Sequence, residues 1–186
     1  AAAKLLGKVG KLTKPIRLDN GAIQYTFRGV GKGVVIVTGA NTGIGYETAL
    51  ELARAGAEVI ATSRNIKKGE AAVNKIKEAV GGGKAKVHTM QLDLASLESI
   101  QAFADKFLAL KLPLHILVNN AGVIDPIGLL HETDPADWMR LIQINISGVM
   151  LASRAVLPGM ITAGQGVIIN MSSGAALNPV AGWSAY

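Results

Sequence analysis

The sequence predicts an α/β fold, a doubly wound parallel sheet with helices on both faces. Two observations lead to that prediction. Five apolar segments of strand length are separated by four segments of helix length, and strands that alternate with helices form right-handed βαβ units with parallel strands. A glycine-rich turn also follows the first apolar segment, where ligands of such sheets bind. With 186 residues, the chain is long enough for one domain with a substantial core.

The first half of the chain supplies three predicted strands and two helices. β-Branched and apolar runs predict strands at residues 34–37, 57–62 and 85–92. A helix is expected through residues 46–53, directly after the glycine turn. A second is expected over 67–80, where three consecutive glycines end it.

Capping residues define the helices of the second half. Ser96 is expected to cap a helix that runs to about Leu110, and a fourth strand follows at 114–119. Asp134 is expected to cap a long helix that has Pro135 at its first position and runs towards Leu157. The fifth strand is predicted at 167–171.

The turn at residues 38–45 reads Thr-Gly-Ala-Asn-Thr-Gly-Ile-Gly and joins a strand to a helix. Gly39 allows a sharp turn, Gly43 lacks the Cβ that would block a phosphate, and Gly45 allows close packing of the helix. The free N–H groups and positive dipole of the helix N-terminus favour an anion. This order of elements predicts a binding site for the diphosphate of a dinucleotide.

Composition excludes several other kinds of site. The chain has no cysteine, so disulfides, thiolate metal sites and cysteine nucleophiles are impossible, and a reducing compartment, by default the cytoplasm, is expected. The three histidines lie far apart and lack ligand spacing, so no metal site is expected.

The positive charge is concentrated at the N-terminus. Residues 1–33 hold seven Lys and Arg against one Asp, whereas the rest of the chain is balanced at twelve of each sign. We therefore divide the chain into a basic extension at 1–33 and a domain at 34–186. Leu5, Val9 and Leu12 share one helical face opposite the lysines, which leaves two interpretations, a membrane-surface helix or a solvated extension. The extension is favoured, because glycines weaken that helix and Pro15 stops it.

Two further features argue against other partners. The extension lacks the interleaved aromatic residues of a nucleic-acid-binding segment, so no nucleic acid is expected. Residues 155–186 carry no charge, but their prolines, glycines and asparagines argue against a membrane span. We interpret that stretch as the end of a buried helix, a central strand covered on both faces and an active-site loop.

Several short motifs at successive strand ends resemble those of the short-chain dehydrogenase/reductase superfamily. They are the turn at 38–45, Asp93-Leu94, Asn119-Asn120-Ala121-Gly122, Asn145, the pair Ser172-Ser173, and Tyr186. The likeness covers about residues 32–186 and implies a Rossmann-like sheet that is incomplete at its C-terminal side. It further implies an oxidoreductase that transfers a hydride between a nicotinamide cofactor and a carbonyl or alcohol substrate.

The resemblance assigns roles in cofactor binding. Asp93 and Leu94 would contact the adenine, and residues 119–122 would form the floor under the nicotinamide ribose. The turn that would hold the diphosphate consists of Gly39, Asn41, Thr42, Gly43, Ile44 and Gly45, and the floor includes Asn120, Ala121 and Gly122.

The end of the second predicted strand selects between the two nicotinamide cofactors. An acidic residue there would bind the ribose 2′-hydroxyl and repel a 2′-phosphate. The chain has Arg64 at this place and no carboxylate. Because a guanidinium group suits a phosphate, NADP(H) is favoured over NAD(H).

The resemblance makes Ser173 the donor to the carbonyl oxygen, Tyr186 the acid/base and Asn145 the organiser of a water relay. Ser173 is preferred to Ser172 because it lies thirteen residues before Tyr186, the usual family interval. The family also places a Lys four residues after this Tyr, where it stabilises the phenolate. Since the sequence ends at Tyr186, we expect it to be the N-terminal two-thirds of a longer protein.

The resemblance leaves the substrate and the assembly open. The segment 35–122 resembles retinol-dehydrogenase-like members, whereas the rest is closer to common carbonyl and alcohol reductases, so no retinoid specificity is predicted. A homo-oligomer is implied for the full-length protein. The alternative to an enzyme is a catalytically silent nucleotide-binding subunit of a larger assembly, which a residue other than Lys at the fourth position beyond Tyr186 would favour.

Overall fold

A computed structural model describes residues 33–81, 85–178 and 180–186, together with the backbone of four two-residue strands between residues 11 and 28. Five parallel strands form its main sheet in the order β3-β2-β1-β4-β5. The strands are β1 (Val34–Val37), β2 (Glu58–Ser63), β3 (Val87–Gln91), β4 (Leu114–Asn119) and β5 (Val167–Asn170). The doubly wound parallel fold is therefore confirmed.

Helices connect the successive strands. They are α1 (Gly43–Arg54), α2 (Ile66–Val80), α3 (Leu97–Ala109), α4 (Pro135–Ile142) and α5 (Gly148–Thr162). The predicted caps are confirmed, because the side-chain oxygen of Ser96 accepts from the Ser99 N–H and that of Asp134 from the Ala136 N–H. Gly81 ends α2 with a left-handed backbone, φ 100°, as an L-residue rarely can.

Two apolar cores lie on opposite faces of the sheet. Successive side chains of a strand point to opposite faces. On β1, accordingly, Val35 and Val37 pack with α1 and α2, whereas Val34 and Ile36 pack with α3 and α5. All four β1 side chains are buried, as expected for the central strand of a sheet covered on both sides.

The long helix predicted after Asp134 is interrupted by a π-helical turn. Residues Gln143–Ser147 form this turn between α4 and α5, and α5 continues through Pro158 to Thr162, beyond the predicted end near Leu157. The whole run, Pro135–Thr162, is long and apolar enough to cross a membrane by length and composition alone. Its most apolar part is 22% buried in the described structure, and Ala152 and Met160 of α5 pack in the core.

The interpretation of residues 155–186 as starting with a buried helix end is wrong, because most of the α5 residues from 155 to 162 are exposed in the described structure. β5 lies at the edge of the described sheet, pairs with β4, and has half-buried or exposed side chains. In the basic extension, Lys11–Leu12 pairs with Phe27–Arg28 and Ile16–Arg17 with Ile23–Gln24, so those positions are strands rather than parts of a helix.

Candidate functional site

The site lies where the carboxyl ends of β1 and β4 meet. These strands are neighbours, and β2 and β5 continue the sheet in opposite directions from them, so the order of strands reverses between them. In open α/β sheets ligands bind at such a reversal. The turn 38–45 leaves β1 here, and residues 119–122 leave β4 beside it.

Thr38 and Asn120 join the two strand ends. The Thr38 Oγ1 accepts from the backbone N–H groups of Asn120 and Ala121, each at 2.9 Å. In return the Asn120 side-chain amide donates to the carbonyl oxygen of Thr38 at 2.9 Å. Thr38 is 1% exposed, so its hydrogen bonds are shielded from water, and the turn and the β4 loop are fixed relative to one another.

Each glycine of the turn has its own structural reason. Gly39 has φ +63°, and a Cβ there would lie 2.9 Å from the Ala121 Cα. A Cβ on Gly45 would lie 2.4 Å from the side-chain nitrogen of Asn120 and 2.5 Å from the carbonyl oxygen of Gly39. Gly45 thus lets α1 approach the turn itself and Asn120.

Gly43 faces open space. Its φ is +58°, and a Cβ added to it would meet nothing within 4 Å. Thr42 precedes α1 without a side-chain cap hydrogen bond in the described structure, and Thr42, Gly43 and Ile44 are exposed. The first backbone N–H groups of α1 are therefore accessible from outside, as an anion site requires.

Arg64 lies just beyond β2, next to the glycine turn. The Ala40 N–H donates to the Thr62 carbonyl at 2.8 Å, which ties the turn to the end of β2. The Gln91 side chain donates to the Arg64 carbonyl at 3.2 Å. The Arg64 side chain is exposed and forms no ion pair with the described residues, so its guanidinium is accessible to a ligand.

Asp93 and Leu94 follow β3. One Asp93 carboxylate oxygen accepts from the Ala95 N–H at 3.0 Å, and the Asp93 N–H donates to Ser99 Oγ at 2.9 Å. Leu94 is 5% exposed and packs in the core on the α3 and α5 side. Leu94 can therefore meet a ligand only through its backbone, whereas Asp93 is half-buried and retains a second carboxylate oxygen.

Asn119 anchors the end of β4 to its neighbours. Its side-chain nitrogen donates to Ser153 Oγ on α5 at 3.1 Å and to Asn170 Oδ1 on β5 at 2.8 Å. Its own Oδ1 is buried and has no partner in the described structure. These bonds fix β5, and thus the segment that leads to Ser173, against β4.

Asn145 clamps the loop that follows β4. Its Oδ1 accepts from the Val123 N–H at 2.9 Å, and its Nδ2 donates to the Val123 carbonyl at 2.7 Å. Asn145 lies within the π-helical turn between α4 and α5. A single side chain thus satisfies both polar groups of one loop residue, and positions the loop across the floor of the site.

Ser173 and Tyr186 enter the site from the segment after β5. The Ala175 N–H donates to Ser173 Oγ at 3.2 Å, which uses an acceptor position and leaves the hydroxyl proton to donate elsewhere. Tyr186 is 45% exposed, and its ring meets that of Trp183 edge to face at 5.8 Å. A hydrogen bond from the Gly128 N–H to the Gly182 carbonyl ties this segment to the loop after β4.

The structure brings many of the predicted residues together in one cleft of about 470 Å³. Its lining is mostly apolar, and none of the lining residues in the described ranges is charged. The predicted residues that line it are Ile44, Asn119, Asn120, Ala121, Gly122, Asn145, Ser173 and Tyr186. Those outside its lining are Gly39, Asn41, Thr42, Gly43, Gly45, Arg64, Asp93 and Leu94, which follow the ends of β1, β2 and β3.

Sequence reasoning missed the role of Thr38 and the network around Asn119. A buried polar side chain at a strand end needs a hydrogen-bond partner, and this requirement could have identified Thr38 as a residue that connects two strand ends. Ser172 also lines the cleft, as do Met171 and Val149. In the described ranges, no group of three His, Asp or Glu residues is placed to hold a metal ion.

Comparisons with known proteins agree with the fold. A family model described as short chain dehydrogenase matches residues 33–186. Human retinol dehydrogenase 11 is 40% identical over 157 residues, which make up 84% of this chain and 47% of that protein. The chain spans about half the length of the curated relatives that it matches over most of its length.

Solved structures with a similar fold include one that contains NADP and another that contains NAD⁺. A metagenomic short-chain oxidoreductase in complex with NADP has a TM-score of 0.74 and 42% identity, covering 83% of this chain and 68% of that one. An NAD⁺-bound xylitol dehydrogenase has a TM-score of 0.75 and 28% identity, covering 83% of this chain and 58% of that one.

Proposed function

Because the chain belongs to the short-chain dehydrogenase family of oxidoreductases, we propose that its site binds NADP(H) and reduces a carbonyl, or oxidises the matching alcohol. The main support for this proposal is that two parts of the site are neighbours. The exposed N-terminus of α1, with open space beside Gly43, adjoins the cleft that Ser173 and Tyr186 line.

The residues of the turn fit a dinucleotide diphosphate. Gly43 offers a backbone surface without a Cβ, and the first N–H groups of α1 supply donors and positive dipole to an anion. Arg64 is exposed beyond β2, and its planar donor fork would bind a ribose 2′-phosphate. Asp93 and the backbone of Leu94 lie at the next strand end, where they would bind the adenine.

The chemistry proposed for the cleft divides between two hydroxyl groups. Ser173 Oγ accepts from the Ala175 N–H, so its own proton is left to donate to a substrate carbonyl oxygen. Tyr186 transfers a proton to or from that oxygen as its charge develops. When bound, the nicotinamide supplies or takes up the hydride. Asn145 would order water at the cleft floor while it holds the Val123 backbone.

The direct test is calorimetric titration of this chain with NADPH and with NADH. We expect saturable binding of one nucleotide per chain, with NADPH bound at least about tenfold more tightly, because a charge-assisted contact to a phosphate contributes about 1.5–3 kcal/mol. Preference for NADH would contradict the cofactor assignment. Absence of binding by either nucleotide would contradict the proposed site as a whole.

A further inference from the structure

β4 carries one residue more than β1 where the two strands begin. Val34 of β1 lies opposite Leu114. The next residue, Val35, lies opposite Ile116, so His115 has no register partner on β1 in the described structure. An extra residue of this kind is a β-bulge, which locally disrupts the ladder of backbone hydrogen bonds. The bulge lies at the amino end of the central strand pair, away from the proposed nucleotide site.

The side chain of His115 takes part in the ladder at this point. The Val34 N–H donates to His115 Nδ1 at 3.0 Å. At the other end of β1, by contrast, the Thr38 N–H donates to a backbone carbonyl, that of Val118, at 3.0 Å. Val34 is 4% exposed and His115 is half-buried. A buried N–H needs an acceptor, and here a histidine side chain supplies it.

This hydrogen bond requires an uncharged imidazole. Neutral histidine has one ring nitrogen that donates and one that accepts, so His115 Nδ1 accepts only while the proton is on Nε2. A charged imidazole carries a proton on both nitrogens and would present a donor to the Val34 N–H. Histidine is the side chain that ordinarily changes charge between about pH 5 and 8. Acid therefore converts the acceptor in this bond into a donor.

The charged groups around this end of the sheet lie on other strands and on helix ends. β1 and β5, the strands on either side of β4, carry no ionisable residue. On β2, Glu58 lies opposite Val34, and its carboxylate is 3.3 Å from His88 Nε2 and 4.0 Å from Lys86 Nζ. Among the described residues, no carboxylate oxygen lies within 4.0 Å of a His115 ring nitrogen. The remaining charges, at or just beyond the last turns of α1 and α3, are Arg54, Lys106 and Lys111. Because protonation strengthens the pair of His88 with Glu58, acid acts on the two histidines in opposite directions.

We propose that His115 is a pH-sensitive link that holds the start of β1 to β4 at neutral pH and releases it in acid. The basic extension joins the sheet here, where the Gly33 carbonyl accepts from the Glu58 N–H at 3.0 Å. Release from β4 leaves this contact with β2, so the first residue of β1 is then held from one side. At the far end of β1, the bonds between Thr38 and Asn120 involve no titratable group. The release is therefore confined to the junction between the extension and the domain.

The test is hydrogen exchange of the Val34 amide, followed by NMR at about pH 7.5 and about pH 5.5, on either side of the ordinary histidine titration. Rates are expressed as protection relative to an unfolded chain at the same pH. In the wild type we expect protection of Val34 to fall about three- to tenfold in acid, the effect of one lost hydrogen bond. His115→Asn places an uncharged oxygen acceptor near the position of Nδ1, so its protection should change less than about twofold. His88→Asn, the same substitution on β3, is the control and should behave as the wild type does.

A second variant and a second measurement test the acceptor itself. His115→Phe keeps a ring without an acceptor and should show, at both pH values, the low protection of the wild type in acid. Nitrogen NMR spectra of the imidazole should find the His115 Nδ1 unprotonated at neutral pH and both nitrogens protonated in acid. None of these measurements uses a nucleotide, so they are independent of the proposed function. The proposal is overturned if wild-type protection of Val34 does not change with pH, if His115→Asn loses as much protection as the wild type, or if Nδ1 carries the proton at neutral pH.

Discussion

Thr38 and Asn120 hold each other reciprocally across the edge of the sheet. The Thr38 hydroxyl accepts from the Asn120 backbone N–H, and the Asn120 side-chain amide donates to the Thr38 carbonyl, both at 2.9 Å. Asn120 also borders Gly45, where any Cβ would collide with its side-chain nitrogen. One pair of residues thus connects the end of β1, the loop after β4 and the start of α1.

Removing the Thr38 hydroxyl should destabilise the domain. In Thr38→Val the shape is retained, but the N–H groups of Asn120 and Ala121 lose their shared acceptor. An unsatisfied buried donor costs about 1–3 kcal/mol, so we expect the free energy of unfolding, measured in urea, to fall by about 2–4 kcal/mol. Thr38→Ser keeps the acceptor and should lose less than half as much. Equal losses in the two variants would assign the effect to packing rather than to hydrogen bonding.

Alanine substitutions at Gly45 and Gly43 should reduce the stability of the domain by different amounts. In Gly45→Ala the Cβ overlaps backbone and Asn120 atoms, and overpacking of this kind costs about 1–3 kcal/mol of stability. In Gly43→Ala there is room for the Cβ, so only the positive φ is penalised, by about 1 kcal/mol.

Nucleotide binding distinguishes these glycines further. Since Gly43 leaves room for a diphosphate to approach the backbone, Gly43→Ala should weaken NADPH binding about tenfold or more despite its small effect on unfolding. Calorimetric titration and urea unfolding of both variants provide the comparison. A Gly43→Ala protein that binds NADPH like the wild type would show that the diphosphate does not lie against this residue.

Local chemistry explains which parts of the fold could be predicted. The strands at 34–37 and 114–119 were located to the residue, because apolar runs between polar turns define them, and Ser96 and Asp134 were found as caps because capping depends on nearby residues. The π-helical turn could not be predicted this way. Asn145 there bonds to Val123, twenty-two residues earlier, and such a contact leaves no periodic pattern in the sequence.

The place of a candidate residue in the fold was predictable where a glycine turn or a charged residue directly follows a strand. The turn 38–45 and Arg64 stand at the strand ends that sequence order implies. The side-chain direction of Leu94 was not predictable, since it depends on the packing of α5, where a Cβ on Gly148 would lie 2.8 Å from the Leu94 Cβ.

Arg64 should determine cofactor preference. Arg64→Asp replaces an exposed guanidinium with a carboxylate that repels a 2′-phosphate and can accept from a ribose 2′-hydroxyl. We expect NADPH affinity to fall about 100-fold and NADH affinity to stay equal or rise, in calorimetric titrations. Arg154→Asp, an equal change of charge at an exposed α5 position, is the control. If Arg64→Asp still prefers NADPH to NADH as strongly as the wild type does, Arg64 does not bind the 2′-phosphate.

Asn145 should stabilise the loop after β4. Asn145→Ala leaves both the N–H and the carbonyl of half-buried Val123 without this partner, so we expect a loss of about 1–3 kcal/mol in the free energy of unfolding. Gln143→Ala, in the same π-helical turn, removes a bond from an exposed side chain to the Ala95 carbonyl and should cost about 1 kcal/mol or less. A larger loss in Gln143→Ala would contradict the importance of the clamp.

Ser173 and Tyr186 should affect turnover without affecting nucleotide affinity. In the full-length protein, Tyr186→Phe keeps the edge-to-face ring contact with Trp183 but removes the proton that is transferred, and general acid catalysis contributes about 10²–10⁴ in rate. Ser173→Ala removes one donor to the developing charge and should cost about 10² in kcat.

Ser172→Ala provides the matched control, because Ser172 also borders the cleft but lacks the bond from the Ala175 N–H that orients Ser173. Steady-state reduction of a panel of small ketones by NADPH measures all three variants, and NADPH titrations should agree within about twofold, since no nucleotide contact is removed. If kcat falls more in Ser172→Ala than in Ser173→Ala, Ser172 rather than Ser173 is the donor to the carbonyl oxygen. If Tyr186→Phe turns over at the wild-type rate, another group in the cleft must be the acid.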